Sequence, residues 1–195
     1  MSEVVEYELP RGWCWASIEA LTVYVQRGKS PKYAESSALP VVNQKCVRWH
    51  GVQKEHLKFV DPTQWEAWGP ERTLRDGDIL WNSTGTGTIG RAALYRRLDG
   101  FDRVVADSHV TVVRVKYGLP EYLHAWIRSP SIQGRIEAMQ TGSTNQVELG
   151  RSEVLRTRVP VAPLNEQRRI VAKLEALQAR SRRAREALDA VPPLL

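Results

Sequence analysis

The sequence predicts an α+β fold: a mixed small-sheet domain with short helices over residues 1–160, then a long, coiled-coil-forming helix over 161–195. Three observations carry this. Residues 109–115 are a β-branched run of the kind that forms a buried strand, and shorter runs at Leu39–Val42 and Ile79–Trp81 are punctuated by proline or by glycine turns. Toward the C-terminus the period changes. Ile170, Leu174, Leu177, Ser181, Ala184, Leu188 and Val191 alternate four and three apart, one stripe of a helix, while Arg168, Arg169, Lys173, Arg182, Arg183 and Arg185 fall largely off it. Finally, the part of the 195 residues that precedes this helix is long enough to bury a core without metal or disulfide staples.

The elements follow in order. Leu9-Pro10-Arg11-Gly12 is a turn into Trp13-Cys14-Trp15, and a short helical pattern runs from Ser17 to Leu21 before Gly28-Lys29-Ser30-Pro31 breaks the chain direction. Leu39–Val42 reads as an edge strand, because Pro40 cannot donate into a ladder. Asp76-Gly77-Asp78 is a turn that launches Ile79. Pro120 suits the first position of a helix carrying Leu123, Trp126 and Ile127, and a second helical stretch carries Ile132, Ile136 and Met139. The polar loop Thr141–Gln146 ends that pair, and Ser152 is placed to cap a short turn before a strand at Thr157–Val161. Pro160 and Pro163 punctuate the hinge into the long helix, where Asn165 is the expected N-cap and Glu166 suits the positive end of the dipole. Arg168 stands where a capping box would need Glu or Gln. Trp13, Trp15 and Trp126 are expected in the core.

Composition narrows the classes. Cys14 and Cys46 form no CxxC pair, and His50, His56, His109 and His124 show no ligand spacing, so a reduced, cytoplasmic protein without structural zinc is expected. The acidic start is unlike a signal peptide, and no apolar run approaches the roughly 20 residues of a membrane span. A net charge of +6 favours an anionic partner without naming it. Location sharpens the point: Arg27, Lys29 and Lys32 share one loop-like segment with no acid between them, and Lys45, Arg48, Trp49 and His50 share another.

Three catalytic-looking motifs are weak. Gly85-Thr86-Gly87-Thr88-Ile89-Gly90 matches GxGxxG with Asp107 near the distance of a ribose-binding acid, but too few residues separate it from Gly100 for a crossover helix, so a glycine-rich turn between strands is expected. Gly28-Lys29-Ser30 resembles the end of a P-loop, yet Val23 stands where the first glycine is required. Asp76 and Asp78 lack a third carboxylate or a lysine spaced to make a nuclease centre. No Asn-Pro-Pro-aromatic segment suited to amine methylation is present.

Taken in order, Leu9-Pro-Arg-Gly-Trp-Cys-Trp, Gly28-Lys-Ser-Pro, Leu74-Arg-Asp-Gly-Asp-Ile-Leu, Gly85 to Arg91, Thr141-Gly-Ser-Thr and Val159-Pro-Val-Ala-Pro-Leu-Asn-Glu-Gln-Arg-Arg-Ile-Val resemble the DNA specificity subunit of type I restriction-modification systems. The Pro-Leu-x-Glu-Gln-x-x-Ile-Val helix entry is the most specific of the six. The resemblance implies two tandem halves, each a target recognition domain followed by a long helix, with the two helices packed antiparallel. It implies a non-catalytic chain that binds double-stranded DNA, with no cofactor of its own; S-adenosylmethionine, ATP and Mg are expected in the partner modification (methyltransferase) and restriction subunits. Only one half is present here, either a piece of a longer chain or a half-length subunit that dimerises. In both cases self-association through Ile170, Leu174, Leu177, Ala184 and Leu188 is expected. The other candidate is a helical adaptor for protein association that reads no DNA sequence.

In the DNA-binding case, phosphates set register and base edges set specificity. The phosphate candidates are Arg27, Lys29, Lys32, Lys45 and Arg91. The base-reading candidates are Ser83, Thr84, Thr86 and Thr88, whose glycine neighbours permit close approach, and Ser143, Thr144, Asn145 and Gln146, since Asn and Gln can pair bidentately with adenine. Arg48 and Trp49 could enter a groove or stack on a base.

Overall fold

The structure, a computed structural model, describes residues 6–85, 87–142 and 147–189. The chain runs β1 (Cys14–Ser17), α1 (Ile18–Leu21), β2 (Thr22–Arg27), β3 (Tyr33–Ala34), β4 (Pro40–Val42), β5 (Val47–Arg48), β6 (Gly51–Val52), β7 (Lys58–Val60), β8 (Ile79–Asn82), β9 (Ala92–Leu94), β10 (Val105–Ala106) and β11 (Val110–Val115). It continues through α2 (Pro120–Ile127), α3 (Pro130–Gln133), β12 (Gln140–Thr141), β13 (Glu148–Leu149), α4 (Arg151–Arg156), β14 (Arg158–Val161) and α5 (Leu164–Asp189).

Two four-stranded sheets organise the domain, one ordered β2-β11-β8-β9 and the other β10-β4-β7-β3. The central strands of the first sheet are buried on both faces, which is why they read as continuous apolar runs. Alternate side chains part company: Ile79, Trp81 and Val113 enter a core with Ile18, Leu123 and Ile127 of the helices, whereas Leu80, Val110 and Val112 enter another with Val42, Cys46 and Val104. The Asp78 carboxylate, 1% exposed, takes both Arg114 nitrogens, Nε at 2.8 Å and Nη2 at 2.7 Å. It is thereby a structural anion joining β8 to β11. Among the described residues no group of three acidic, His or Cys side chains could hold a metal, and no helix is long and apolar enough to cross a membrane.

Several local expectations are corrected. β4 is interior, paired parallel with β10 and antiparallel with β7. Pro40 is tolerated because it is the first residue of the strand, while β10 pairs only with Val41 and Val42. The second helical stretch shrinks to α3 followed by turns. Ser152 lies inside α4, whose N-cap is Gly150. Trp15 sits at the rim, edge-on to Tyr7 and Trp126, with its indole N–H on the Tyr7 carbonyl, whereas Trp13 and Trp126 pack on the core.

The entry to α5 differs most. Asn165 does not cap: the helix already begins at Leu164, and Asn165 Oδ1 accepts from Arg168 at 2.9 Å. Gln167 takes the anchoring role. Its side chain, 3% exposed, accepts from the Leu119 N–H at 2.9 Å and donates to the Ala162 carbonyl at 2.8 Å. β1 pairs with β14 just before this root, with Cys14 opposite Val161, so the start of the domain braces the start of the helix. Of the proposed seam, Ile170 packs on the domain core together with Val171, while Leu174, Leu177, Ala184 and Leu188 are exposed.

Candidate nucleic-acid interface

Antiparallel register brings three segments to one end of the first sheet. Arg27, the last residue of β2, stands opposite Thr111, and Asn82, the last of β8, stands opposite Val110. The 107–109 turn and the glycine-rich connection between β8 and β9 therefore meet there. That connection opens no crossover helix, because β9 begins two residues after Gly90 and runs antiparallel to β8. Gly90 has φ +84°, and a Cβ there would press on Ile136 at 2.8 Å. Its carbonyl accepts from Trp81 Nε1 and Gln133 Nε2, both at 3.0 Å, so the turn is pinned to the core and to the α3 region.

Thr84, Thr88, Arg91 and Arg27 are gathered at this end. The Thr84 hydroxyl lies 2.6 Å from His109 Nδ1, and the Thr84 backbone bridges to Glu148 of β13. The Thr88 hydroxyl lies 3.1 Å from both the Thr84 and Gly85 carbonyls and 3.3 Å from Gln44 Oε1, one proton shared among three acceptors. Arg91 reaches the Val47 carbonyl at 3.4 Å and the Gly87 carbonyl at 3.2 Å, linking the turn to the β5–β6 hairpin. Arg27 grips the Ser108 carbonyl with Nε at 2.8 Å and Nη2 at 2.6 Å and pairs with Glu148. These internal bonds make Arg27 a brace of the site more than a free phosphate ligand.

The other described candidates lie away from this rim or are buried beneath it. Ser83 is fully buried, bonded to Thr111 and to the Trp81 carbonyl, and cannot reach a base; a position on the inward side of β8's end explains this. Lys29 and Lys32 turn toward the 61–67 segment, Lys29 onto the Ala67 carbonyl at 2.9 Å and Lys32 onto Asp61 at 3.0 Å. Thr63 and Lys32 together hold the Asp61 carboxyl down to about 2. Lys45 is exposed, Arg48 bonds Gln53 at 2.9 Å, and Trp49 is 40% exposed at the β5–β6 turn. Thr86, Ser143, Thr144, Asn145 and Gln146 lie outside the described residues.

Side chains the sequence did not single out complete the site: Gln44, Ser108 and His109. His109 is oriented by Asp107, whose Oδ1 accepts its backbone N–H at 2.9 Å and whose carboxyl is pushed up by burial. The loop that follows β2 must pass close to the 106–107 backbone, since a Cβ on Gly28 would overlap the Ala106 and Asp107 carbonyl oxygens. The outcome is a rim of hydroxyls, amides, one imidazole and guanidinium groups on a rigid sheet end. It has the donors and acceptors that recognise phosphates and base edges.

No protein-family profile matches the chain. The type I restriction enzyme EcoKI specificity subunit of Escherichia coli (strain K12) is 24% identical over 166 residues, 84% of this chain and 35% of that protein. The crystal structure of the HsdS subunit from Thermoanaerobacter tengcongensis is similar with a TM-score of 0.68 at 26% identity, covering 96% of this chain and 47% of that one. A structure concerning complex assembly and conformational transition of the type I restriction-modification system gives 0.68 at 25% identity, covering 93% and 46%. The type I specificity subunit of M. genitalium, 15% identical with a TM-score of 0.58, shows the same fold. The chain thus spans less than half of the length of each of these four proteins.

Proposed function

Starting from the premise that this chain is a homologue of type I restriction-enzyme specificity subunits, matching about one half of such a subunit, we propose that it is a non-catalytic, sequence-reading double-stranded DNA-binding unit. The observation that carries the proposal is the coincidence of that whole-chain likeness with a rigid polar rim built from the glycine-rich turn, Arg91 and the 107–109 turn. In this reading Arg91 and Lys45 contact phosphates, and Lys29 and Lys32 join them by exchanging the Ala67 carbonyl and Asp61 for phosphate oxygens. Thr84, Thr88, Gln44 and His109, with the 143–146 segment, meet base edges. The globular domain reads one half of a split target and the helical arm that begins at Leu164 sets the spacing to a second reader. Methyl transfer and cleavage belong to modification and restriction subunits, which would bring S-adenosylmethionine, ATP and Mg, and the complex would act on DNA in the cytoplasm.

A second role is favoured by the arm itself. Leu174, Leu177 and Leu188 are 37%, 52% and 71% exposed on α5, apolar residues on a surface that wants a partner helix, supplied by a second half or a second copy. Titration of a randomised duplex library at two salt concentrations tests the main reading. DNA reading requires sequence-dependent affinity above a steep salt slope; weak binding alike for every sequence would leave only the association role.

A further inference from the structure

Arg128, which caps α2, has no role in the site as described so far. Its guanidinium lies over the Trp49 ring, 5.8 Å from the centroid. Among the described residues no carboxylate pairs with it, and its packed surroundings pull its affinity for a proton down with no acid opposing. A neutral side chain would fill this place at lower cost, so a cation held here without a counter-ion suits an anion from outside the chain. Trp49 is part-exposed at the turn of the β5–β6 hairpin, which opens the pair to solvent. Stacking covers the face of a guanidinium and leaves its N–H edge free for the two parallel bonds that a phosphate accepts.

The pair is continuous with the rim. Arg91 ties the same hairpin to Gly87 through the Val47 carbonyl, and Gln133 bonds both Gly90 and the Ile127 carbonyl at the end of α2, at 3.0 and 2.8 Å. We propose that Arg128 is a phosphodiester contact, positioned by its stack on Trp49, and that it extends the DNA-facing surface from the glycine-rich turn to the C-terminal end of α2. This rests on the DNA-binding reading above.

The test uses the full chain and a labelled random-sequence duplex of about 30 base pairs, with affinity measured from about 50 to 200 mM salt. Arg128→Gln should flatten the slope of log K on log salt by about 0.9, so that the loss over a fourfold salt rise shrinks by about 3.5-fold. Trp49→Ala should do the same, and Trp49→Phe, which keeps a stacking ring, should restore most of the slope. Arg97→Gln serves as a control, because Arg97 follows β9 at the opposite end of the sheet from the glycine-rich turn. If Arg128 merely complements the α2 carbonyls, Arg128→Gln lowers the melting temperature and leaves the slope at the wild-type value, which overturns the proposal. Arg128→Lys guards against a folding failure: it keeps the charge, so the slope should persist while its dependence on Trp49 disappears. Wild-type chain without salt-dependent binding would sink both readings; wild-type binding with an unchanged Arg128→Gln slope sinks this one alone.

Discussion

His124 makes the domain acid-sensitive by an amount that can be worked out. Its ring is packed between α2 and β9, with Nε2 3.3 Å from the Ala92 carbonyl. Desolvation, opposed in part by that carbonyl and reinforced by Arg128, holds the imidazole down to about 4, against 6.5 when free. The folded state therefore holds this histidine neutral, and the unfolded chain takes up the proton first. Stability is unaffected above the unfolded pKa, falls as the pH drops below it, and stops falling once the pH passes below the folded value. The full difference corresponds to about 3 kcal/mol, which the partly accessible edge of the residue reduces to about 2–3 kcal/mol. Between about pH 7.5 and 5 the expected loss is about 2 kcal/mol at most. Urea denaturation of wild type and His124→Gln across that range isolates the term, since glutamine can still donate to Ala92 but cannot titrate. Asp107, pushed up by burial, changes with pH in the opposite sense, and comparison of the two proteins cancels it. Identical pH dependence in wild type and variant would refute the argument.

Other perturbations have equally definite outcomes. Asp78→Ala leaves the Arg114 guanidinium, whose side chain is only 11% exposed, without its carboxylate, and should cost about 3–5 kcal/mol by denaturant titration, whereas Asp76→Ala at the exposed neighbour should cost under about 1 kcal/mol. Gly28→Ala forces the 28–30 loop off the 106–107 backbone, so thermal melting should shift down sharply. Leu177→Glu together with Leu188→Glu should leave the melting of the domain in place and abolish concentration-dependent association in sedimentation, because neither side chain contributes to the domain core. Gln167→Ala should cost about 1–3 kcal/mol, since the Leu119 N–H and the Ala162 carbonyl both lose their partner.

The α+β class and the terminal helix were legible because local pattern decides them: β-branched runs, a proline at the first turn of α2 and a heptad that persists for five turns. What the sequence concealed is non-local. Pro40 misled because its effect depends on which neighbours a strand has, and the parallel partner β10 lies more than sixty residues away in sequence. Ser83 looked like its neighbour Thr84 until the strand phase placed one inward and the other on the rim. His109 and Gln44 joined the site only through the register of β11 with β8 and the packing of the 43–46 turn, which no spacing encodes. The Glu-Gln pair at the helix entry is visible as a pattern, but its physical reason, a buried glutamine bridging two backbone groups, lies in the packing of α5 against residues 119 and 162.

The 22 residues of α5 beyond Gln167 reach about 33 Å at 1.5 Å per residue, so a tilt of only 5° at that glutamine swings the far end by about 3 Å. That is close to the rise of one base pair. Under the proposed function, one amide side chain at the pivot would set the phase in which two distant readers meet a double helix, and a change there would alter the permitted gap in a target without touching any group that contacts DNA.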